Sequence, residues 1–453
     1  MNESVLADVI RPGAGRGLDF VNLDELRKRT GIMPHEVLYF AMSEMLCNSL
    51  DTDATEIYVS IEDNAEFEWL TIRDNGSKKI SEADLTLILD FNNKASSKRD
   101  FLRVSRGYLG NALKCIFGYS YALAEHRKLP SPEIVVSSHG CEYRIRLYPN
   151  KIEDRIESEI QVTQIVDSGE NLFKIAFPSP DDFLKINGFV ISVSAFQHII
   201  TATSMVNPRR RISFNLWGEK GIMGEPLGSE ELRKDTSIIW YTLENFRDLF
   251  NDFIRVKPTP QLKEFISLFR GLTRKPVIRD ILHDLNEATN HDCRDAANMQ
   301  FVPATPITEL TGDNIASLYN AMRSRGKIIS KRSLPQALGV VGEEQFEKIQ
   351  RANGWERLRY TCLIENEKSS RYTYPFIIEL AVFDRDKADI EGLKVYQCVN
   401  FMASTEDVFS KLFDIKYRLG RVGITPEMPV TVLAHLVSPV LQWLNYGKSG
   451  LYE

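Results

Sequence analysis

The sequence lacks closely spaced cysteines, a long apolar run and a large excess of charge of either sign. Its six cysteines include no C-x-x-C pair, which excludes a zinc ribbon and a secreted disulfide scaffold. No stretch approaches the roughly 18 apolar residues of a membrane span. The N-terminal residues also lack the basic and then apolar pattern of a secretion signal. We therefore expect a cytoplasmic protein with reduced thiols and no membrane contact.

Charge and length limit the class of protein and the number of domains. Lys and Arg total 56 and Asp and Glu total 62, which gives a formal net charge of −6. This balance excludes a histone-like polycation and an acidic tail protein, but it is compatible with a local basic groove. At about 150 residues per domain, the length predicts about three domains.

The periodicity of apolar residues divides the chain into three regions. Residues 20–220 alternate helical and strand patterns, which predicts a first α+β unit. Residues 221–350 are mainly helical, and residues 351–453 return to strands around a helix predicted at 405–419. The first region has predicted strands at 133–138, 142–148, 159–165, 172–177, 188–194 and 211–216.

Three polar residues occur together on the first strongly helical segment. Glu44, Asn48 and Asp51 are four and seven residues apart, which places them on one face of a helix. They suit two interpretations. In the first, they form the solvent side of a half-buried helix. In the second, Asn48 offers a neutral oxygen to Mg²⁺ while Glu44 orients or deprotonates a water molecule.

Two glycine-containing segments follow this helix. Asp74-Asn75-Gly76 ends a predicted strand, and alone it is a common turn signal. At 106–111, glycines precede an apolar helix and let backbone N–H groups approach a phosphate. Neither segment is specific alone. The order is more specific: an acidic-Asn helix, a strand, an Asp-x-Gly turn, a basic loop and a glycine-opened helix.

This order resembles the ATP-binding (Bergerat) fold shared by gyrase, heat-shock chaperones, histidine kinases and MutL, the GHKL ATPases. The resemblance implies that Asp74 accepts a hydrogen bond from the adenine amine, Asn48 holds Mg²⁺ and Glu44 acts as the general base. It also implies that the basic loop at 92–106 closes over the phosphates of ATP. The further nucleotide contacts that it implies are Asp51, Gly76, Lys98, Arg106, Gly107, Tyr108, Leu109, Gly110 and Asn111.

The chain departs from the GHKL pattern in two places. Ala112 stands where many members have a third glycine. Many members also place a Gly-Thr strand beside the adenine, and the nearest candidate here, residues 188–191, contains no Thr.

Later segments resemble the B subunit of type IIB topoisomerases (topoisomerase VI). Asn207-Pro208-Arg209 is similar to its Asn-Pro-His strand entry, and residues 395–400 are similar to a strand of its transducer domain. Residues 435–438 and 447–449 resemble the transducer loop whose lysine reaches the γ-phosphate, which implies Lys448 as a second catalytic residue. The alternative is a plain solvated lysine. A Walker P-loop is excluded because residue 442 is Gln rather than Gly.

The resemblance implies an α+β fold with a GHKL ATPase sandwich at 20–220, a helical middle region at 221–350 and a transducer-like domain at 351–453. The middle region has room for a helix–two-turn–helix-like insert. The implied partners are a second copy on ATP binding, double-stranded DNA and a separate A-like cleavage subunit. In that family a long helix after the lysine loop joins the A subunit. Here the implied A subunit docks elsewhere, or the chain is a divergent or shortened relative.

Two ambiguities remain at the level of sequence. The basic residues within 323–332 suit a DNA backbone contact or a solvated loop equally well, and Arg209, Arg210 and Arg211 share that ambiguity. The alternative function is a stand-alone GHKL switch, chaperone-like or defence-associated, with no topoisomerase partner. A third interpretation is a pseudo-ATPase that keeps nucleotide as a structural ligand.

Overall fold

A computed structural model describes residues 17–91, 101–104, 112–180, 191–228, 236–256, 259–292, 300–368, 373–386, 391–404 and 415–441. In these residues the chain has a mixed α and β architecture with one eight-stranded and one five-stranded sheet. The helices are α1 Leu23–Thr30, α2 Val37–Leu50, α3 Glu82–Leu89, α4 Ala112–His126, α5 Val193–Val206, α6 Leu243–Val256, α7 Leu262–Ile266, α8 Lys275–Asp292, α9 Gly312–Arg325, α10 Leu334–Leu338, α11 Glu343–Ala352 and α12 Ile415–Arg421.

The large sheet has the strand order β5-β4-β3-β6-β2-β1-β7-β8. Among the strands that the structure describes in this sheet, β1 and β7 pair in parallel and the other neighbours are antiparallel. The register places Asp74, the last residue of β2, between Ile57 on β1 and Asn171 on β6. The strands of this sheet are β1 Glu56–Asn64, β2 Phe67–Asp74, β3 Ile134–Ser138, β4 Cys141–Asn150, β5 Arg155–Gln164, β6 Asn171–Pro178, β7 Arg211–Leu216 and β8 Glu219–Met223.

Helix α2 is buried along nearly its whole circumference. All of its residues are buried except Tyr39 and Asn48. Pro34 lies in the short 3₁₀ turn that leads into it, where proline costs no helical hydrogen bond. Glu44 is therefore a buried carboxylate rather than part of a solvent-facing side, whereas Asp51 beyond the helix end is exposed.

The second sheet has the order β12-β11-β13-β10-β9. Its β11–β13 pair is parallel, and the crossover between these strands contains α12. One face of β10, with Ile377, Glu379, Ala381 and Phe383, is fully buried. The strands are β9 Arg357–Lys368, β10 Thr373–Asp384, β11 Lys394–Val399, β12 Met402–Ala403 and β13 Val430–Val437.

Helix α5 lies between the two sheets. On one side Phe196 makes edge contacts with the rings of Tyr39 and Trp217, at centroid distances of 5.3 and 5.2 Å. On the other side, Cys398 Sγ on β11 donates to the carbonyl of Ala202 at 3.5 Å. The helix therefore joins the sheets into one core, and a single cluster of buried apolar side chains runs from residue 20 to residue 437.

Most predicted elements are confirmed, and one is wrong. The predicted strands at 133–138, 142–148, 172–177 and 211–216 correspond to β3, β4, β6 and β7. The strand predicted at 188–194 is wrong at its C-terminal end, because Val193 and Ser194 begin α5; residues 188–190 lie outside the described part of the chain. Among the helices that the structure describes, none combines the length and apolar character needed to cross a membrane.

Candidate functional site

The C-terminal end of α2 lies against the end of β2. Ser49 Oγ, on the last turn of α2, donates to Asp74 Oδ2 at 2.7 Å. Asp74 is only 6% exposed and Glu44 is equally buried. The Ser49–Asp74 bond thus places the last two turns of α2, which carry Glu44 and the half-buried Asn48, beside the Asp74-Asn75-Gly76 turn.

The Asp74 carboxylate is oriented by three donors. Besides Ser49, the backbone N–H of Gly76 donates to Oδ1 at 3.0 Å and Asn171 Nδ2 donates to Oδ1 at 3.2 Å. A carboxylate has about four lone-pair positions, so the donors seen here leave about one for another partner. An amino group of a ligand is a donor that fits this position.

Asn171 on β6 is a site residue that the sequence reasoning missed. Its Nδ2 also donates to the carbonyl of Gly76 at 3.0 Å, and its Oδ1 accepts from Ser138 Oγ at 2.7 Å. Ser138 in turn accepts from the backbone N–H of Ile80 at 3.0 Å. Every polar atom of the Asn171 side chain is therefore engaged, which fixes its orientation toward Asp74.

The side chains of Asn75 and Ser77 tie the turn to the segment that precedes β1. Asn75 Oδ1 accepts from the backbone N–H groups of Thr55 at 2.8 Å and Glu56 at 3.0 Å, so Asn75 faces the start of β1. Ser77 donates to Asp53 through both its backbone N–H and its hydroxyl. These bonds hold the pKa of Asp53 below its ordinary value. The turn is thus preorganised, which lowers the entropic cost of binding a ligand.

Glu44 is close enough to the helix after the glycine segment to influence a thiol on it. Burial raises the pKa of the Cys115 thiol on the first turn of α4 to about 12, and the charge of Glu44 acts in the same direction. Glu44 and Cys115 are therefore within electrostatic reach of each other. A buried carboxylate one helical turn from the amide of Asn48 offers a base and a neutral oxygen ligand, a set that suits Mg²⁺ and a water molecule.

Part of the predicted site lies outside the described residues. These positions are Lys98, Arg106, Gly107, Tyr108, Leu109, Gly110, Asn111 and Lys448, whose roles stay predictions. The flanks of the glycine segment are described: buried Lys114 on α4 donates to the carbonyl of Asp90 after α3. Burial lowers the pKa of Lys114, and Asp90 partly opposes that effect.

The strand that pairs with the end of β2 is β6, and Asn171 on β6 stands directly opposite Asp74. Residues 188–190, most of the segment that the sequence suggested beside the adenine, lie outside the described residues, so that suggestion stays a prediction.

Comparison with known proteins gives distant likenesses only. No protein-family profile and no curated protein matches the sequence. A structure described as the N-terminal domain of a DNA repair protein aligns with a TM-score of 0.41 and 11% identity, over 91% of this chain and 87% of that one. The B subunit of the DNA gyrase from Myxococcus xanthus aligns with a TM-score of 0.33 and 8% identity, over 99% and 90%. TM-scores this low identify neither the family nor the activity of this chain.

Most of the basic residues flagged in the sequence make intramolecular contacts. Arg323 donates to the hydroxyl of Tyr319, Arg325 pairs with Asp284, and Lys331 Nζ lies 2.6 Å from Glu365. In the other basic cluster, Arg211 pairs with Glu56 at 2.9 Å, while Arg210 is buried and donates to the carbonyl of Thr52. Lys327 and Arg332 are exposed.

His435 and Asn400, from the segments at 435–438 and 395–400, are buried in polar networks. His435 Nε2 accepts from the backbone N–H of Phe401, so its Nδ1–H donates to Glu379 Oε2 at 2.9 Å. Asn400 exchanges two hydrogen bonds with the backbone of Ser438, both at 2.9 Å. No local sequence pattern pointed to Glu379, because its partner His435 is 56 residues away on another strand.

Proposed function

We propose that this chain binds and hydrolyses Mg²⁺-ATP as a GHKL-type ATPase. The observation that carries the proposal is the buried Asp74 carboxylate, held by Ser49, Gly76 and Asn171 with about one acceptor position left. An adenine amine is a donor of the right kind for that position. The helix that supplies Ser49 also supplies Glu44 and Asn48, the proposed base and the proposed Mg²⁺ ligand.

The roles follow from the chemistry of each side chain. Asn48 would hold Mg²⁺, which neutralises charge on the phosphates when it is bound. Glu44 accepts the proton of a water molecule as the water oxygen attacks the γ-phosphorus and the bond to the ADP oxygen breaks. Lys448 is proposed as a second cation for the charge on the γ-phosphate. The sequence segment at 106–111 is proposed to offer backbone N–H groups to the phosphates.

We propose further that ATP closes two copies of this chain into a clamp. In the topoisomerase VI-like form of this proposal, the clamp captures double-stranded DNA and works with a separate A-like cleavage subunit. The support for this topoisomerase VI-like form is the sequence resemblance at 394–449.

The alternative is a stand-alone ATP-driven switch. The intramolecular pairing of Arg325 and Lys331 favours it, because paired charges contribute less to binding a phosphate backbone.

The ATP clamp is tested by the mass of the protein in solution with Mg²⁺ and a non-hydrolysable ATP analogue. We expect the wild type to form a dimer when the analogue is present, and we expect Asn48→Ala to form no such dimer. Asn64→Ala is the matched control, because Asn64 is exposed at the opposite end of β1 from the Asp74 turn. A wild-type mass that the analogue leaves unchanged, despite measured binding, contradicts the clamp.

DNA separates the two forms of the clamp. A topoisomerase-like clamp has an ATPase rate that rises when double-stranded DNA is added and that falls back as salt is raised. A stand-alone switch hydrolyses ATP at a rate that DNA does not change. Purification of the chain from its natural cells with an A-like subunit bound supports the first form.

A further inference from the structure

Arg210 is a buried arginine between α5 and β7. Its side chain is 1% exposed, and its Nη2 donates to the carbonyl of Thr52 at 3.2 Å. Burying a guanidinium is costly unless polar groups replace the lost water. Arg210 therefore belongs to the interior of the molecule, whereas the next residue, Arg211, pairs with Glu56 at the surface.

Neighbouring segments hold the backbone of Arg210. Its N–H donates to the carbonyl of Asn207 at 3.1 Å, and the N–H of Arg211 donates to the carbonyl of Thr55 at 2.9 Å. Gly224 lies so close that a Cβ on it would be 2.1 Å from the carbonyl oxygen of Arg210. The guanidinium therefore starts from a backbone position that these contacts determine.

The carbonyl that Arg210 binds belongs to a residue that packs on the Asp74 turn. The hydroxyl of Thr52 donates to the carbonyl of Ser49 at 2.7 Å. Thr52 also leaves no room for a side chain at Gly76, because a Cβ there would lie 2.6 Å from Thr52 Oγ1. A shift of Thr52 therefore moves the turn as well.

Asp53 makes a second contact between this segment and the turn. Its two carboxylate oxygens accept from the backbone N–H of Ser77 at 2.7 Å and from the Ser77 hydroxyl at 2.5 Å. These bonds lower the pKa of Asp53, and the charge of Arg210 acts in the same direction. Contacts thus lead from the buried guanidinium through residues 52–53 to Gly76 and Ser77.

We propose that Arg210 is a positioning residue for the adenine-binding turn. The inference rests on the proposed function, in which the Asp74 carboxylate accepts from the adenine amine. That bond depends on the exact position of the carboxylate, because a hydrogen bond weakens steeply when its geometry departs from the optimum. Arg210 acts through Thr52 and Asp53 and does not touch the ligand. Loss of its guanidinium therefore weakens recognition of the amine more than the other contacts with a nucleoside.

The test compares binding of adenosine and of purine riboside, which is adenosine without its exocyclic amino group. We expect the wild type to bind adenosine about tenfold more tightly in calorimetric titration, as for one hydrogen bond to a charged group. Arg210→Met removes the guanidinium but keeps a long side chain, and we expect it to lower this ratio toward one. Arg210→Lys keeps the charge and a donor, and we expect it to restore part of the ratio. A general loss of stability lowers both affinities alike and leaves the ratio unchanged.

Arg211→Met is the matched control, and we expect it to keep the ratio of the wild type. Equal ratios in Arg210→Met and the wild type overturn the positioning role alone. If Arg210→Met does not fold, Asp53→Ala decides, because Asp53 is exposed and its loss removes both bonds to Ser77. We expect Asp53→Ala to lower the ratio, and an unchanged ratio overturns the positioning role.

The wild type itself separates this inference from the proposed function. A wild type that binds an ATP analogue but binds the two nucleosides equally well overturns the contact between Asp74 and the amine, and with it the role of Arg210. A wild type that binds neither nucleoside and no ATP analogue overturns the proposed function.

Discussion

At the scale of single residues, Gly76 is the most constrained position of the Asp74 turn. A Cβ at this position would lie 2.6 Å from Thr52 Oγ1 and 2.9 Å from Asp74 Oδ1. Thr52 cannot move aside easily, because its hydroxyl donates to the carbonyl of Ser49 and accepts from the N–H of Ala54. A side chain at residue 76 therefore displaces the carboxylate that is proposed to contact adenine.

We expect Gly76→Ala to lower the free energy of unfolding by about 2 kcal/mol, the usual range for overpacking, and to abolish measurable binding of adenosine. Urea denaturation and calorimetric titration measure the two effects. Gly312→Ala is the control, since Gly312 begins α9 and no atom of a residue beyond its chain neighbours lies within 4 Å of where its Cβ would be. If a stably folded Gly76→Ala variant binds adenosine as tightly as the wild type, Asp74 does not contact the adenine.

At the scale of secondary structure, local patterns predicted elements but not their pairing. The sequence indicated a strand at 172–177, and β6 confirms it, yet Asn171 enters the site only because β6 pairs with β2. That register depends on contacts between residues that are about 100 positions apart in the sequence. The run Ile191-Ser192-Val193-Ser194 alternates apolar and polar residues as a strand does, although α5 begins at Val193. Because α5 is buried against both sheets, it has little of the one-sided apolar pattern that identifies a helix.

The elements of the second sheet meet at the buried Glu379. Its carboxylate accepts from His435, from the hydroxyl of Tyr360 at 2.9 Å and from the backbone N–H groups of Val341 and Gly342 at 3.0 and 2.8 Å. Burial alone would raise the pKa of Glu379, but the hydrogen bonds from His435 and the two N–H groups hold the pKa below the ordinary value for a glutamate. The carboxylate thus joins β9, β10, β13 and the turn before α11.

The lowered pKa of Glu379 predicts a loss of stability in acid. A carboxyl whose pKa is lower in the folded state stabilises the fold above its unfolded pKa, and this contribution is lost as the pH falls through the folded value. We expect Glu379→Gln to lower the free energy of unfolding by about 3 kcal/mol at neutral pH and to flatten its decline below about pH 4.5. Urea denaturation across that pH range measures both. Glu367→Gln, at an exposed position, serves as the control. If the free energy of unfolding depends on pH in the same way in both variants, Glu379 is not the group whose protonation destabilises the fold in acid.

At the scale of the whole molecule, the core is continuous from the first helices to the last strand. Asn207, which follows α5, donates to the carbonyl of Phe401 at 2.8 Å and to that of Thr203 at 2.7 Å, so polar contacts reinforce the apolar ones between the sheets. Separate domains unfold separately when few contacts cross between them. The cluster of buried apolar side chains that spans both sheets favours one cooperative unit.

We therefore expect a single calorimetric unfolding transition, and we expect a Mg²⁺-ATP analogue to move all of it to higher temperature. A ligand at 100 times its Kd stabilises the folded state by about 2.7 kcal/mol, and this energy is shared by every element that unfolds with the site. Asn207→Ala removes the hydrogen bond from the end of α5 to the carbonyl of Phe401 but leaves the shared apolar core, so the variant should melt at a lower temperature, still in one transition that the analogue shifts as a whole. Two transitions in the wild type, with one insensitive to the analogue, would show that the sheets unfold independently despite their shared core.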